Sequence, residues 1–283
     1  MQTPTETGIY RNVPAEHYHR WKAFSITTGL ELLKSPGHYY YRLNNPIEAT
    51  PAMRMGTLIH MRLLEPELFK DTVVIVPEFI PRDRRTKARK EWEEACCIGP
   101  NGYLDVVESE DARTIEGIYQ SVMSRKVSSA LLKGEGETEL SIFWREDGWL
   151  NCKGRLDRYH APSKTLVDIK TTDDASPVQF AKTLCNRAYH VQFAQYAYGG
   201  KQVGLDIENV VVIAIEKKPP YGVGVYQIPE IAMRSGFEQR KRLIEKLHIA
   251  EQKEEWLAYP DMVQTLDFPE WAFNSIERAL GYY

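Results

Sequence analysis

The sequence predicts an α/β fold in which a central mixed β-sheet is flanked by helices, and three observations carry that expectation. From Trp149 to Tyr159, Leu150, Cys152, Gly154 and Leu156 alternate with Asn151, Lys153, Arg155 and Asp157, the period of a half-buried strand. Val210 to Ile215 is almost continuously apolar, as in a central strand covered on both faces. Around these lie segments with helical periodicity and recognisable caps.

Taken in order, residues 1–24 are polar and aromatic by turns and are expected to form an N-terminal surface segment. Thr28-Gly29-Leu30-Glu31 has capping-box spacing and opens a short helix that Pro36 ends. Thr50 and Pro51 suit an N-cap and first helical position, starting a helix through about Leu64 on which Gly56 and His60 share a face. Val73 to Val76 reads as a short buried strand. Arg82, Arg84, Arg85, Lys87, Arg89 and Lys90 follow, either as a solvated face or as a basic segment that tracks a phosphate backbone. Ser109 caps a helix through Val122, and Glu139 to Arg145 is a strand leading into a hairpin closed by Ala161-Pro162-Ser163-Lys164.

Beyond the hairpin, Ser176, Pro177 and Gln179 start a helix to about Asn186. The next helix, from about Ala188 to Val203, carries Gln192 and Tyr196 one turn apart and is closed by Gly204. Gly222 to Ile228 returns as a strand, and a long amphipathic helix fills about Glu230 to Leu257. One domain therefore spans residues 25–258. The tail, 259–283, holds Phe268, Trp271 and Phe273, too apolar for a free linker, and is expected to pack on the domain or on a neighbouring subunit.

Composition narrows the partners. Lys plus Arg number 36 against 39 Asp plus Glu, a net charge of −3, so attraction to a polyanion must come from a local patch. The four cysteines, Cys96, Cys97, Cys152 and Cys185, lack zinc spacing and read as reduced cytosolic thiols. The polar N-terminus offers no signal peptide, and no apolar run approaches the roughly 18–20 residues that span a bilayer.

The hairpin concentrates the chemistry. Pairing His160 with Thr165 sets Asp157 opposite Asp168, where Cβ atoms lie about 4.5–5.5 Å apart and like charges destabilise. Asp168 and Lys170 share one face of their strand, while Val167 and Ile169 share the other. Two opposed carboxylates need a cation between them or one proton; a hard, oxygen-ligated metal is the simpler answer among so many basic residues.

Asp157, eleven positions before Asp168-Ile169-Lys170, then Gln192 and Tyr196 on a following helix, with Gly56-Thr57-Leu58-Ile59-His60 upstream, resembles the PD-(D/E)XK nuclease superfamily in its RecB-like branch. The ensemble is most similar to the RecE-type 5′→3′ exonuclease domain (exodeoxyribonuclease VIII). Leu156 stands where the superfamily's name has proline. The resemblance implies a restriction-endonuclease-like core and assigns active-site positions to His60, Asp157, Asp168, Lys170, Gln192 and Tyr196. Asp157, Asp168 and the Ile169 carbonyl would ligate Mg²⁺, two ions with Mn²⁺ as a substitute; His60 would complete a shell, and Glu139 is a further acidic candidate. Lys170 would orient or deprotonate the attacking water, Gln192 would position Lys170 or that water, and Tyr196 would hydrogen-bond nearby. Lys153, Arg155, Arg82, Arg84, Arg85 and Lys87 would contact phosphates. A cytoplasmic, ring-shaped homo-oligomer of a bacterial or phage-infected cell is implied, threading double-stranded DNA ends and leaving 3′ overhangs for a single-strand annealing protein. A nuclease of nicks, flaps or single strands, or a non-catalytic DNA-binding scaffold, are the alternatives.

Overall fold

Alternating and apolar stretches build one mixed sheet of seven strands: β1 (Gly8–Tyr10), β2 (Phe24–Ser25), β3 (Gly136–Glu146), β4 (Leu150–His160), β5 (Thr165–Thr172), β6 (Asn209–Glu216) and β7 (Val223–Gln227). The spatial order is β1-β3-β4-β5-β6-β7, with β2 beside β4. The computed structural model describes residues 2–99, 102–267, 269 and 272. The helices used below are α1 (Pro36–Asn44), α2 (Pro51–Leu64), α3 (Lys87–Cys96), α4 (Ser109–Met123), α5 (Pro177–Asn186), α6 (Tyr189–Gln202) and α7 (Glu230–Lys253).

Asp147 and Gly148 both take positive φ (45° and 75°), the turn that suits the twist of the antiparallel pair β3 and β4. The β5 and β6 strands run parallel, and α5 with α6 supplies the crossover that parallel strands require. Both faces of this pair are covered. Val167, Ile169, Ile213 and Ile215 pack against α2 and α4, while Leu166, Val212 and Ala214 pack against α6 and α7. The continuous apolar run of β6 is thereby explained.

Several expectations are corrected. Residues 1–24 are not merely superficial: β1 pairs antiparallel with β3, and Val13, Tyr18 and Trp21 bury a small core against Phe143. The helix expected from Thr28 starts at Ile26, and Pro36 begins α1 rather than only ending its predecessor, with Ser35 accepting from the His38 N–H. Val73–Ile75 pairs with Asp105–Val107 in a separate ladder, and Glu108, not Ser109, precedes α4 as its cap position. Among the described residues of the tail, Tyr259, Met262, Val263 and Leu266 are exposed; Phe268, Trp271 and Phe273 lie outside the described residues. The capped helix α2 forms as expected, with Thr50 accepting from the Met53 N–H. No helix of the described residues is long and apolar enough to cross a membrane.

A buried ionic knot joins the sheet to the helices behind it. The Arg240 guanidinium of α7 pairs with Glu146 of β3 and donates from Nε to Gln195 Oε1 of α6 at 2.6 Å, while Trp144 Nε1 donates to Glu146 Oε2 at 3.1 Å. Removing one partner of such a pair strands a buried charge. Arg240→Met is therefore expected to cost about 3–5 kcal/mol in chemical denaturation, and Arg240→Met with Glu146→Gln to recover part of it.

Candidate active site

The site is created where two strands part. The β5 side of β4 pairs with β5 only at Arg158–His160 and with β2 at Cys152 and Lys153. Gly154 to Asp157 face the gap without a ladder partner on that side, and the Asp157 carboxylate fills it by accepting the Ile169 N–H at 2.8 Å. His160 pairs with Thr165 as expected, but the ladder stops at Arg158 with Val167, one step before the two aspartates would meet. On the other side of β4 the ladder also skips one step, opposite Asp157, because Glu139 adopts a left-handed backbone with φ 48°. Register thus brings Glu139, Asp157 and Asp168 into one row across β3, β4 and β5.

His60 reaches this row from α2, its Nδ1 lying 3.6 Å from Asp157 Oδ2. Ligand atoms of His60, Glu139 and Asp157 lie within 4.8 Å of one another, the one group of three such side chains found among the described residues. Asp168 is not in that group. It is 1% exposed, and its Oδ2 lies 2.6 Å from the Lys170 ammonium, an ion pair shut away from solvent. Lys170 Nζ sits 4.9 Å from the Tyr189 ring and 5.8 Å from that of Phe193, so β5 and α6 enclose its charge. Gln192 Nε2 donates to the Tyr196 hydroxyl at 2.9 Å, which commits Gln192 to Tyr196 rather than to Lys170. Ile169 keeps its side chain in the core beside α2.

A cleft of about 1030 Å³ opens over this row, between the segment Asn12–His19 and the α2 residues Gly56, Thr57, His60 and Met61, with Glu139, Arg155, Asp157 and Tyr196 among the residues that line it. Asp168, Lys170 and Gln192 do not line it. Tyr196 approaches because Gly154 lacks a side chain; a Cβ there would stand 3.3 Å from the Tyr196 ring and from Ile142. Burial, reinforced by the Asp157 charge, pushes Glu139 up to about 7, against the pull of Arg155. Burial also raises Asp168 to about 6, again helped by Asp157 and opposed by Lys170. For Lys170, burial favours the neutral amine but the charges of Asp168 and Asp157 outweigh it and raise its pKa.

The basic residues are spent elsewhere than expected. Lys153 is 6% exposed, and its ammonium donates to the carbonyls of Tyr18, His19 and Trp21 at 2.8–3.1 Å, leaving no donor for a phosphate. Arg155 bonds Glu139 and the Val13 carbonyl. Arg82 pairs with Glu110, Arg84 with Glu93, Arg85 with Asp83 and Lys87 with Glu91, and none of the four lines the cleft. Arg89 is fully buried against Glu93 and Glu108, the anchor of α3. The role of Glu139 rests on its φ, which alternation in the sequence does not reveal.

Glu139 ionises with difficulty in the folded protein and freely in the unfolded chain, so its contribution to stability is present at acidic pH and lost as pH rises through about 7. In metal-free buffer, the melting temperature of Glu139→Gln relative to wild type is expected to rise by a few degrees from pH 5.5 to 8.0; a pH-independent difference would contradict this.

Residues 25–267 match the family described as a PDDEXK-like domain of unknown function (DUF3799). No curated protein sequence matches the chain. Among solved structures, that of a candidate exonuclease from Eubacterium rectale is 12% identical, covers 94% of this chain and 99% of its own, and superposes with a TM-score of 0.61. The structure of SSO0001 is 16% identical, covering 70% of this chain and 87% of its own, with a TM-score of 0.31. The mixed sheet with its flanking helices is thus shared with the first of these, and the match over most of its length establishes that the chain belongs to the PDDEXK-like domain family DUF3799.

Proposed function

We propose that this chain is a Mg²⁺-dependent nuclease, and in detail a 5′→3′ exonuclease that degrades linear double-stranded DNA to leave 3′ single-strand overhangs for recombination by strand annealing. The observation that carries the nuclease reading is the row of Glu139, Asp157 and Asp168 across three strands, with His60 and Lys170 beside it. Membership of a PDDEXK-like family and a candidate exonuclease with the same fold support it. Direction, duplex preference, a ring-shaped homo-oligomer and an annealing partner rest on the resemblance to RecE-type exonucleases.

The residues fit a hard divalent cation. Like charges in one row are destabilising without a counter-ion, and ligand atoms of His60, Glu139 and Asp157 converge within 4.8 Å of one another. His60, Glu139, Asp157 and Asp168 would hold Mg²⁺, with the Ile169 carbonyl as a further oxygen and Mn²⁺ as a substitute. A bound ion supplies a more acidic water and charge relief at the phosphoryl oxygens. Lys170, kept protonated by its two aspartates, would donate to a phosphoryl oxygen or orient the water rather than remove its proton. Gln192 holds the Tyr196 hydroxyl at the cleft, where it can donate to the substrate backbone. Burial raises the Tyr196 pKa well above its ordinary value, so it remains a neutral donor.

Linear duplex labelled at its 5′ or 3′ end, with closed circles as control, is expected to lose 5′ label as mononucleotides only when Mg²⁺ is present, with circles intact. Lys170→Met should lower the rate by about 10²–10³-fold and Asp168→Asn by at least as much. Degraded circles would favour an endonuclease, and full activity of Asp168→Asn would overturn the assignment.

A further inference from the structure

The N-terminal segment is tied to the site by cations that point inward. Lys153 and Arg155 of β4 both reach under residues 13–21, Lys153 through three carbonyls and Arg155 through the Val13 carbonyl at 2.9 Å. Tyr18 lies over both, its ring 4.9 Å from Lys153 Nζ and 5.7 Å from Arg155 Cζ. The same Arg155 guanidinium donates from Nε to Glu139 Oε2 at 2.5 Å, with both side chains largely sheltered, at 14% and 17% exposure. Glu139 is held by a left-handed backbone that a non-glycine residue occupies at a cost of roughly 1–3 kcal/mol. Its carboxylate is therefore directed by one strained backbone and one guanidinium.

We propose that Arg155 is a positioning residue: it fixes the Glu139 carboxylate toward His60 and Asp157, and it couples that carboxylate to the wall of the cleft formed by Asn12–His19. The planar guanidinium suits this because it offers donors in fixed directions to two acceptors at once, which an ammonium does not. The inference rests on the reading of His60, Glu139 and Asp157 as metal ligands. It replaces the expected phosphate contact of Arg155 with a task inside the protein, the kind of support that metal ligands receive from groups behind them.

The test is Mn²⁺ binding to the full chain without DNA, followed by electron paramagnetic resonance of the free ion, together with amide hydrogen exchange over Val13–Trp21 and the melting temperature in chelator. Arg155→Met is expected to weaken Mn²⁺ binding by about ten- to a hundredfold and to speed exchange in the segment. Arg155→Lys, the milder variant should Arg155→Met not fold, is expected to fall between the two. Wild-type Mn²⁺ affinity in Arg155→Met, with affinity lost in Glu139→Gln, would overturn the proposal and leave the metal site standing. So would an affinity loss in Arg155→Met matched by a fall in melting temperature and not recovered at all in Arg155→Lys. Wild-type affinity in Glu139→Gln would overturn the underlying site as well.

Discussion

The bond from the Ile169 N–H to the Asp157 carboxylate is the constraint on which the site depends. Where β4 and β5 diverge, a backbone donor in the middle of the sheet loses its carbonyl, and a buried donor without an acceptor costs about 1–3 kcal/mol. A side chain with an oxygen at the right reach must close the gap. Asp157 does so with Oδ2, the oxygen that also lies 3.6 Å from His60, and the residue lines the cleft. The position of the acid is thus set by the geometry of the sheet before any ligand is considered.

That solution concentrates charge. Asp157 stands between Glu139 and Asp168, and each of the outer acids has one close cation, Arg155 and Lys170 respectively. Burial and mutual repulsion hold both outer carboxyls toward their protonated forms. A row of acids so arranged is a poor way to stabilise a sheet and a good way to gather oxygen donors. The cost is met elsewhere, in the two covered faces of β5 and β6 and in the Arg240–Glu146 knot that clamps β3 to the helices behind it.

What was legible in the sequence was local. Thr50 and Pro51 announce α2 because a cap and a first-turn proline act within one turn, and the short connection from His160 to Thr165 sets the register of β4 on β5. Alternation correctly separated Asp168 and Lys170 from Val167 and Ile169. What was not legible was long-range. Lys153 falls on the polar side of its strand, and only a segment 132–135 residues earlier shows that this side is covered. Pairing of β1 with β3 joins residues equally remote, and no local period announces it. The left-handed Glu139 breaks a ladder at one residue, and no turn chemistry in Thr138-Glu139-Leu140 signals it. In the basic run, spacing showed the cations but not the acids of α3 and α4 that neutralise them.

The inward use of Lys153 and Arg155 has an electrostatic consequence. With its three N–H donors taken by backbone carbonyls, Lys153 keeps its charge but has none left to offer a visitor, and Arg155 spends its Nε on Glu139, so both cations offset the acids of the cleft from behind. Removing either side chain would therefore leave Asp157 and Glu139 less compensated, although neither cation need touch what enters the groove.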